Sequence, residues 1–220
     1  RLVPPNDVAA LEQALAPRDV AAVIIEPVGS NSGKVPTPPA FLKALREATA
    51  RHGTLLIFDE VVTGFRLAAG GAQARFGVTP DLTSLAKIVA GGLPGGAVCG
   101  RREILDWLDF DVSDELGREK IRHQGTFNAN PISAAAGIRT LEIIRDTDAC
   151  ERADRAAARL REGMNGVLEA LGVPWSVYGA YSMLHIFTNP EGRALTPGEF
   201  DADTEDASAF GADPRKTMLS

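Results

Sequence analysis

Apolar positions take a helical period near the start of the chain, where Val8, Leu11 and Leu15 share one face behind Asp7. That pattern predicts a short helix over 7–16 with Asp7 as its N-cap. Ala21 to Ile25 is continuously apolar and stops at Glu26-Pro27, which reads as a buried strand ended by proline. Residues 29–39, rich in Gly, Ser, Asn and Pro, read as loop. From Pro39, a proline suited to a first turn, Phe41, Leu42, Leu45 and Ala48 return to helical spacing, with Gly53 as the stop. Leu55 to Phe58 is a second apolar run, closed by two acids, Asp59 and Glu60.

Strand, helix and strand at this spacing make a βαβ unit. Runs apolar on both faces predict a parallel sheet covered on both sides. Two further short strands are expected at 81–85 and 95–100, flanking a turn that carries Lys87. An Ala-rich helix is expected over 132–145. A longer one follows over 149–171, with Leu160, Met164, Val167, Leu168 and Leu171 as its stripe. The pattern then changes. Residues 175–178 and 182–187 alternate as strands of a smaller α+β unit, and 189–214 read as a polar loop. A new helical pattern starts at 217–220. The expected class is α/β: residues 1–145 form part of a mostly parallel, helix-flanked domain, and 146–220 open a smaller, incomplete α+β domain.

Composition narrows the function. Hydrophobic residues make up 45% and charged residues 24%, a soluble globular balance. The net charge of −6 argues against a partner that presents a nucleic-acid backbone. No apolar run approaches the ~20 residues that span a bilayer. Cys99 and Cys150 stand in unrelated contexts, so there is neither a disulfide framework nor metal spacing, and a reducing cytoplasm is the expected location. His52, His123 and His185 share no metal spacing. His185, within an alternating strand, reads as a packing residue. The chain opens without methionine and stops within a pattern, so it reads as a piece of something longer.

Two positions carry the candidate chemistry. Asp59 closes a buried strand, where a carboxylate at the C-terminal edge of a parallel sheet can meet a cationic ligand. Glu60 beside it is expected to point away into a salt bridge. Lys87 lies on a later turn among Leu85, Ala86, Ile88 and Val89, neighbours expected to withdraw it from water and lower its pKa. Such a lysine can form a Schiff base with an aldehyde. Taken alone, the same residues also suit a capping acid and a surface lysine beside a glycine-rich loop. Gln124 to Pro131 sets Thr126 and backbone amides ahead of a helix, an arrangement that suits a phosphate. Capping by Asn128 or Asn130, with Pro131 at the first position, suits it equally.

A P-loop ATPase is a rival, because Leu-Leu-Ile-Phe-Asp-Glu also resembles a Mg²⁺-holding strand. Its phosphate loop would be Gly29 to Val35. Three residues rather than four separate Gly29 from Gly33, Val35 replaces the metal-binding hydroxyl, and Pro36, Pro38 and Pro39 block the helix that should follow. A catalytically silent interaction module is the other alternative.

Taken together, Ile25-Glu26-Pro27-Val28, Phe58 to Arg66, the block from Pro80 to Lys87, Gly91-Gly92-Leu93-Pro94 and Gly125-Thr126 resemble the class III aminotransferases of fold type I, which use pyridoxal phosphate. Within that family, Thr63-Gly64-Phe65-Arg66, Gly70-Gly71-Ala72-Gln73, Phe76 to Asp81 and Gly100 to Ile104 are most similar to the glutamate-1-semialdehyde 2,1-aminomutase branch. The resemblance implies that Lys87 carries the Schiff base and shuttles a proton. It implies that Asp59 pairs with the ring nitrogen, Val61 packs on one ring face, and Glu26 and Asn31 line its polar edge. Thr126 would bind the phosphate of a cofactor held mainly by the partner in a homodimer. The substrate would be a small amino acid or amino-aldehyde. Two departures bear on that substrate. Phe127 to Pro131 replaces a Ser-Gly-Asn-Pro type sequence, and Gly95 replaces a valine, which would widen the lysine turn. An aminotransferase that takes a β-amino acid or another amine, with a keto-acid acceptor, is the alternative. The family's phosphate loop and second stacking residue would precede residue 1, so this piece alone is expected to bind cofactor weakly.

Overall fold

The computed structural model describes residues 1–210, without the side chains of Ser30, Ser32 and Ala207. The helical pattern expected at 217–220, and the end of the 189–214 loop, lie outside the described residues.

The first sheet has four strands in the order β1-β3-β4-β5. β1 (Ala22–Ile25) and β3 (Leu55–Glu60) are parallel, with Ile25 beside Phe58. β4 (Leu82–Ala86) is parallel to β3, and Asp59 lies opposite Ser84. β5 (Gly96–Gly100) turns back antiparallel to β4. The expected strands are therefore present, and the sheet is mostly parallel.

α1 (Val8–Leu15) begins where Asp7 accepts the Ala10 N–H at 2.9 Å. α3 (Pro39–His52) starts on its proline and ends at Gly53, whose φ of 70° a side chain would resist. Leu11 and Leu15 of α1, together with Phe41, Leu42, Leu45 and Ala48 of α3, cover one face of the sheet. There they close over Leu56 and Phe58 of β3. Cover on both faces was expected from the apolar runs. Among the described residues, Ile24 (62% exposed) and Val98 (55% exposed) instead leave apolar surface on the strands.

The loop expected at 29–39 contains one helical turn, α2 (Ser30–Gly33), and a two-residue strand, β2 (Val35–Pro36), in which Pro36 bridges back to Gly29. Three helices gave no periodic signal because each is shorter than two turns: α4 (Gly71–Phe76), α5 (Arg102–Leu105) and α6 (Phe110–Glu115). α7 (Pro131–Asp146) packs on the 3₁₀ turn Lys87–Ala90. The fit is close, since a Cβ on Gly137 would stand 2.5 Å from the Val89 carbonyl oxygen.

α8 (Ala149–Ala170) does not bury its expected stripe, and Leu160, Val167 and Leu171 are exposed. It docks through polar side chains. Arg161 donates to the carbonyls of Tyr181 (2.9 Å) and Met183 (2.6 Å), and Asn165 both donates to and accepts from the Val177 backbone. That backbone belongs to a second sheet, in which β6 (Ser176–Tyr178) pairs antiparallel with β7 (His185–Phe187). His185 stacks beside Tyr178, with ring centroids 5.5 Å apart. The polar stretch beyond β7 contributes more than loop. Phe200 stacks on Phe187 at 4.1 Å, and Phe210 and Val35 complete an aromatic cluster around Tyr178. No helix among the described residues is long and apolar enough to cross a membrane.

Asp81 ties these layers at the N-terminal edge of β4. Its carboxylate accepts the Leu56 N–H at 2.7 Å, Arg46 at 2.9 Å and Arg101 at 3.0 Å. Burial pushes this carboxyl up, but the amide and the two guanidiniums outweigh it and hold it below the ordinary range. A carboxylate so depressed contributes stability that is complete above its unfolded pKa and is lost as pH falls through the folded one. Asp81→Asn should therefore cost about 1.5–3 kcal/mol at neutral pH, the scale of a hydrogen bond to a charged group, with exposed Arg101 adding least. Urea unfolding of both proteins as the solution is acidified should show the gap closing.

Candidate active site

Three of the site residues expected from sequence stand along one edge of the sheet, at the C-terminal ends of adjacent parallel strands. Glu26 follows β1, Asp59 is the penultimate residue of β3, and Lys87 follows β4 directly. An open α/β sheet presents ligand-binding groups at this edge. Strand alternation decides which acid faces where. In β3, Leu56, Phe58 and Glu60 are buried in the helix-covered face, whereas Ile57 and Asp59 are half-buried on the other.

The Asp59 Oδ1 atom is committed twice, to the Val61 N–H at 3.1 Å and to the Ser84 hydroxyl at 3.2 Å. Its Oδ2 makes no hydrogen bond or ion pair among the described residues. Ser84 was not singled out from sequence, although a hydroxyl inside the run Leu82–Ala86 was the available signal. Val61 is half-buried and heads the turn after β3.

Lys87 is exposed, contrary to the expectation from its apolar neighbours. Ile88 and Val89 are only half-buried, and the lysine begins a 3₁₀ turn that leaves the sheet edge. Its φ of 51° places it in the left-handed region, which a lysine adopts at a cost of order 1–3 kcal/mol. Gly91 closes the turn, and a Cβ there would meet the Ala136 carbonyl oxygen at 2.5 Å. Gly95 does not widen this region, because a Cβ on it would stand 2.8 Å from that of Ala90. The Lys87 amine has no protein partner among the described residues.

Glu26 and Asn31 are brought together: the Asn31 N–H donates to Glu26 Oε1 at 3.1 Å, with Asn31 at a φ of 53°. Thr126 is exposed in the turn before α7. Asn130, rather than Asn128, caps that helix, accepting from the amides of Ile132 (2.9 Å) and Ser133 (3.2 Å). The capping reading of this segment therefore holds, and what Thr126 offers is its hydroxyl and the turn ahead of the helix. The rival phosphate loop, Gly29 to Val35, folds as one helical turn followed by β2.

Glu60 corrects a further expectation. It forms no salt bridge among the described residues. One oxygen, Oε2, accepts both the Ala72 N–H at 2.8 Å and the Thr63 hydroxyl at 3.2 Å, in a site where Glu60 is 3% exposed. Burial raises its pKa, and the two hydrogen bonds only partly offset that rise.

The folded state thus holds the Glu60 proton more tightly than the unfolded state does. The contribution of Glu60 to stability is therefore lost as pH rises from the ordinary carboxylate range through its raised folded value. Glu60→Gln keeps an oxygen for both donors and cannot ionise. Its stability relative to wild type should improve from about pH 4, near the unperturbed glutamate value, to pH 7, as read by thermal unfolding. An unchanged difference across that range would show that Glu60 is not costly when charged.

Residues 5–196 match a family model, Aminotransferase class-III. Among curated proteins, the chain is 45% identical over 187 residues to glutamate-1-semialdehyde 2,1-aminomutase 2 of Brevibacillus brevis, covering 84% of this chain and 42% of that protein. Among solved structures, an omega-transaminase from Sphaerobacter thermophilus superposes with a TM-score of 0.75 at 37% identity, covering 99% of this chain and 44% of that one. A glutamate-1-semialdehyde-aminomutase from Pseudomonas aeruginosa, in complex with PMP, gives 0.71 at 32% identity, covering 96% of this chain and 46% of that one. The chain spans less than half the length of these relatives. The α/β architecture and the match over most of the sequence agree, and the chain belongs to the class-III aminotransferase family.

Proposed function

We propose that the full-length protein containing this chain carries out pyridoxal-phosphate-dependent amino-group transfer of the glutamate-1-semialdehyde 2,1-aminomutase type. The observation that carries the reading is the line of Glu26, Asp59 and Lys87 on one sheet edge, where Asp59 Oδ2 and the Lys87 amine are uncommitted among the described residues. These groups fit the cofactor. It needs a carboxylate for its protonated ring nitrogen and a primary amine for its aldehyde, and both stand at the ends of neighbouring strands. When bound, pyridoxal phosphate supplies an electron sink for a bond broken at the amino-bearing carbon of the substrate.

The chain's own residues do the rest. Asp59, its orientation fixed by Val61 and Ser84, would keep the ring nitrogen protonated. Lys87 would hold the cofactor and, as a free amine, carry a proton to or from the substrate carbon. Val61 would pack on one ring face, and Glu26 with Asn31 would line the polar edge. Thr126 would reach the phosphate in a second copy of the chain, making the enzyme a homodimer with shared sites. In this reading, residues 1–145 belong to the cofactor-binding domain and 146–220 begin the smaller one, which the separate β6–β7 sheet and aromatic cluster support. The substrate is a small amino acid or amino-aldehyde, and the location is cytoplasmic.

A second reading, a transaminase for a β-amino acid or another amine, is favoured by Phe127 to Pro131 and by the likeness to an omega-transaminase. One assay separates the two. A mutase converts glutamate-1-semialdehyde with no external amino acceptor, whereas a transaminase requires a keto acid.

Borohydride reduction of the full-length protein with pyridoxal phosphate, followed by peptide mapping, should place the label on Lys87. A label on another lysine, or none, sinks the proposal. Lys87→Ala should lower turnover by at least roughly 10²–10⁴-fold, the scale of losing a positioned general acid–base. Asp59→Asn should weaken turnover while leaving Lys87 able to take the label.

A further inference from the structure

We propose that Glu60 is a positioning residue for the cofactor site, acting through the turn that fixes Asp59 and Val61. This inference rests on the reading of Asp59 and Lys87 given above. The turn after β3 is closed by the Gly64 N–H donating to the Glu60 carbonyl at 3.0 Å. Inside it, the Val61 N–H is the donor that orients Asp59 Oδ1. The direction of that N–H is set by the turn's backbone, and the Glu60 carboxylate braces the turn through one of its side chains and links it to the start of α4. Its Oε2 holds Thr63 from within the turn and Ala72 from the first turn of α4.

The space around the carboxylate is shaped to receive it. Gly71 stands at a φ of 61°, and a Cβ there would lie 2.7 Å from both Glu60 oxygens. A Cβ on Gly64 would lie 2.8 Å from the Glu60 carbonyl oxygen and 2.4 Å from Leu85. Thr63 is wholly buried. Glycine at both positions lets a buried acid draw the strand end, the turn and the helix start onto a single oxygen. No cation accompanies it among the described residues, so this acid is not half of an ion pair. Its side-chain bonds run to Thr63, in the turn that also contains Val61, and to Ala72 at the start of α4.

The test is a double-mutant cycle in the full-length protein, read as the apparent Kd for pyridoxal phosphate, titrated into apoprotein well below each variant's Tm. Glu60→Ala should weaken binding about tenfold, and in an Asp59→Asn background by less than about twofold, the signature of two residues acting as a unit. Glu60→Gln, which keeps the acceptor oxygen, should stay within about threefold of wild type. A purely structural role predicts a lower Tm with an unchanged Kd, or the same loss in both backgrounds, and either result overturns the proposal. Should Glu60→Ala not fold, Thr63→Val removes one of the two bonds at equal size. It must then show the same coupling to Asp59, smaller in amplitude. Borohydride labelling of wild-type protein is run alongside. Loss of the Lys87 label overturns the cofactor reading and this inference together, whereas a labelled Lys87 without coupling overturns this inference alone.

Discussion

The alternation of β3 is the constraint on which the rest depends. Six residues of one central strand divide strictly, so Leu56 and Phe58 enter the core while Ile57 and Asp59 face away from it. A slip of one residue would exchange the faces, burying Asp59 under α1 and α3 and turning Phe58 outward. The register of β3 against β1 and β4 is therefore also what positions the chemistry. With Ile25 beside Phe58 and Ser84 beside Asp59, Glu26 and Lys87 follow at the same edge without any further device.

This edge is not anchored by the sheet alone. Arg66, in the segment after β3, donates to the carbonyl and hydroxyl of Ser182, and the Cys150 thiol donates to the Phe65 carbonyl at 3.2 Å. Phe65 itself sits at a φ of 60°, an uncomfortable place for a bulky side chain that only external contacts sustain. On the other side, the Tyr178 hydroxyl donates to the Lys34 carbonyl at 2.7 Å, which holds the Glu26–Asn31 loop against the second sheet. Cys150, Tyr178 and Ser182 thus hold the segments that precede and follow Asp59 along the chain. Helix α8 docks by Arg161 and Asn165 satisfying backbone groups of β6 and of the segment between β6 and β7, which explains why its apolar residues do not mark its packed face.

What could be read from sequence follows from what is locally determined. β1 and β3 were legible because each contains a short apolar run bounded by Pro, Gly or acids, and α1, α3 and α7 because their periodicity or capping residues are strong. The placement of Asp59 and Lys87 at strand ends was legible too, since both follow segments read as strands. Burial at the site was not. The apolar neighbours of Lys87 state what surrounds it along the chain, whereas its exposure depends on a turn that leaves the sheet. Glu60 was misjudged for a related reason. A salt bridge is the common solution for a buried acid, but the donors it uses, one amide and one hydroxyl, come from a turn and a short helix with no sequence signature. The short helices α2, α4, α5 and α6 were missed because fewer than two turns carry no period.

The two buried carboxylates of the sheet show where the fold tolerates cost. Asp81 sits at the N-terminal edge, where its bond to the Leu56 amide and two arginines leaves it more acidic than usual. Glu60 sits at the C-terminal edge with no cation beside it among the described residues and is less acidic than usual. A core residue chosen for stability alone at position 60 would be apolar, like Phe58 before it. An uncompensated acid there is intelligible only if its bonds accomplish something an apolar side chain cannot, because burying a charge without a counter-ion is unfavourable. Among the described residues, Asn31, Phe65 and Lys87 are three of the eight non-glycine residues at positive φ, and they follow strands at this end of the sheet. A compensated acid at one edge and a costly one beside the candidate site at the other is the pattern expected if Glu60 serves the proposed site rather than stability.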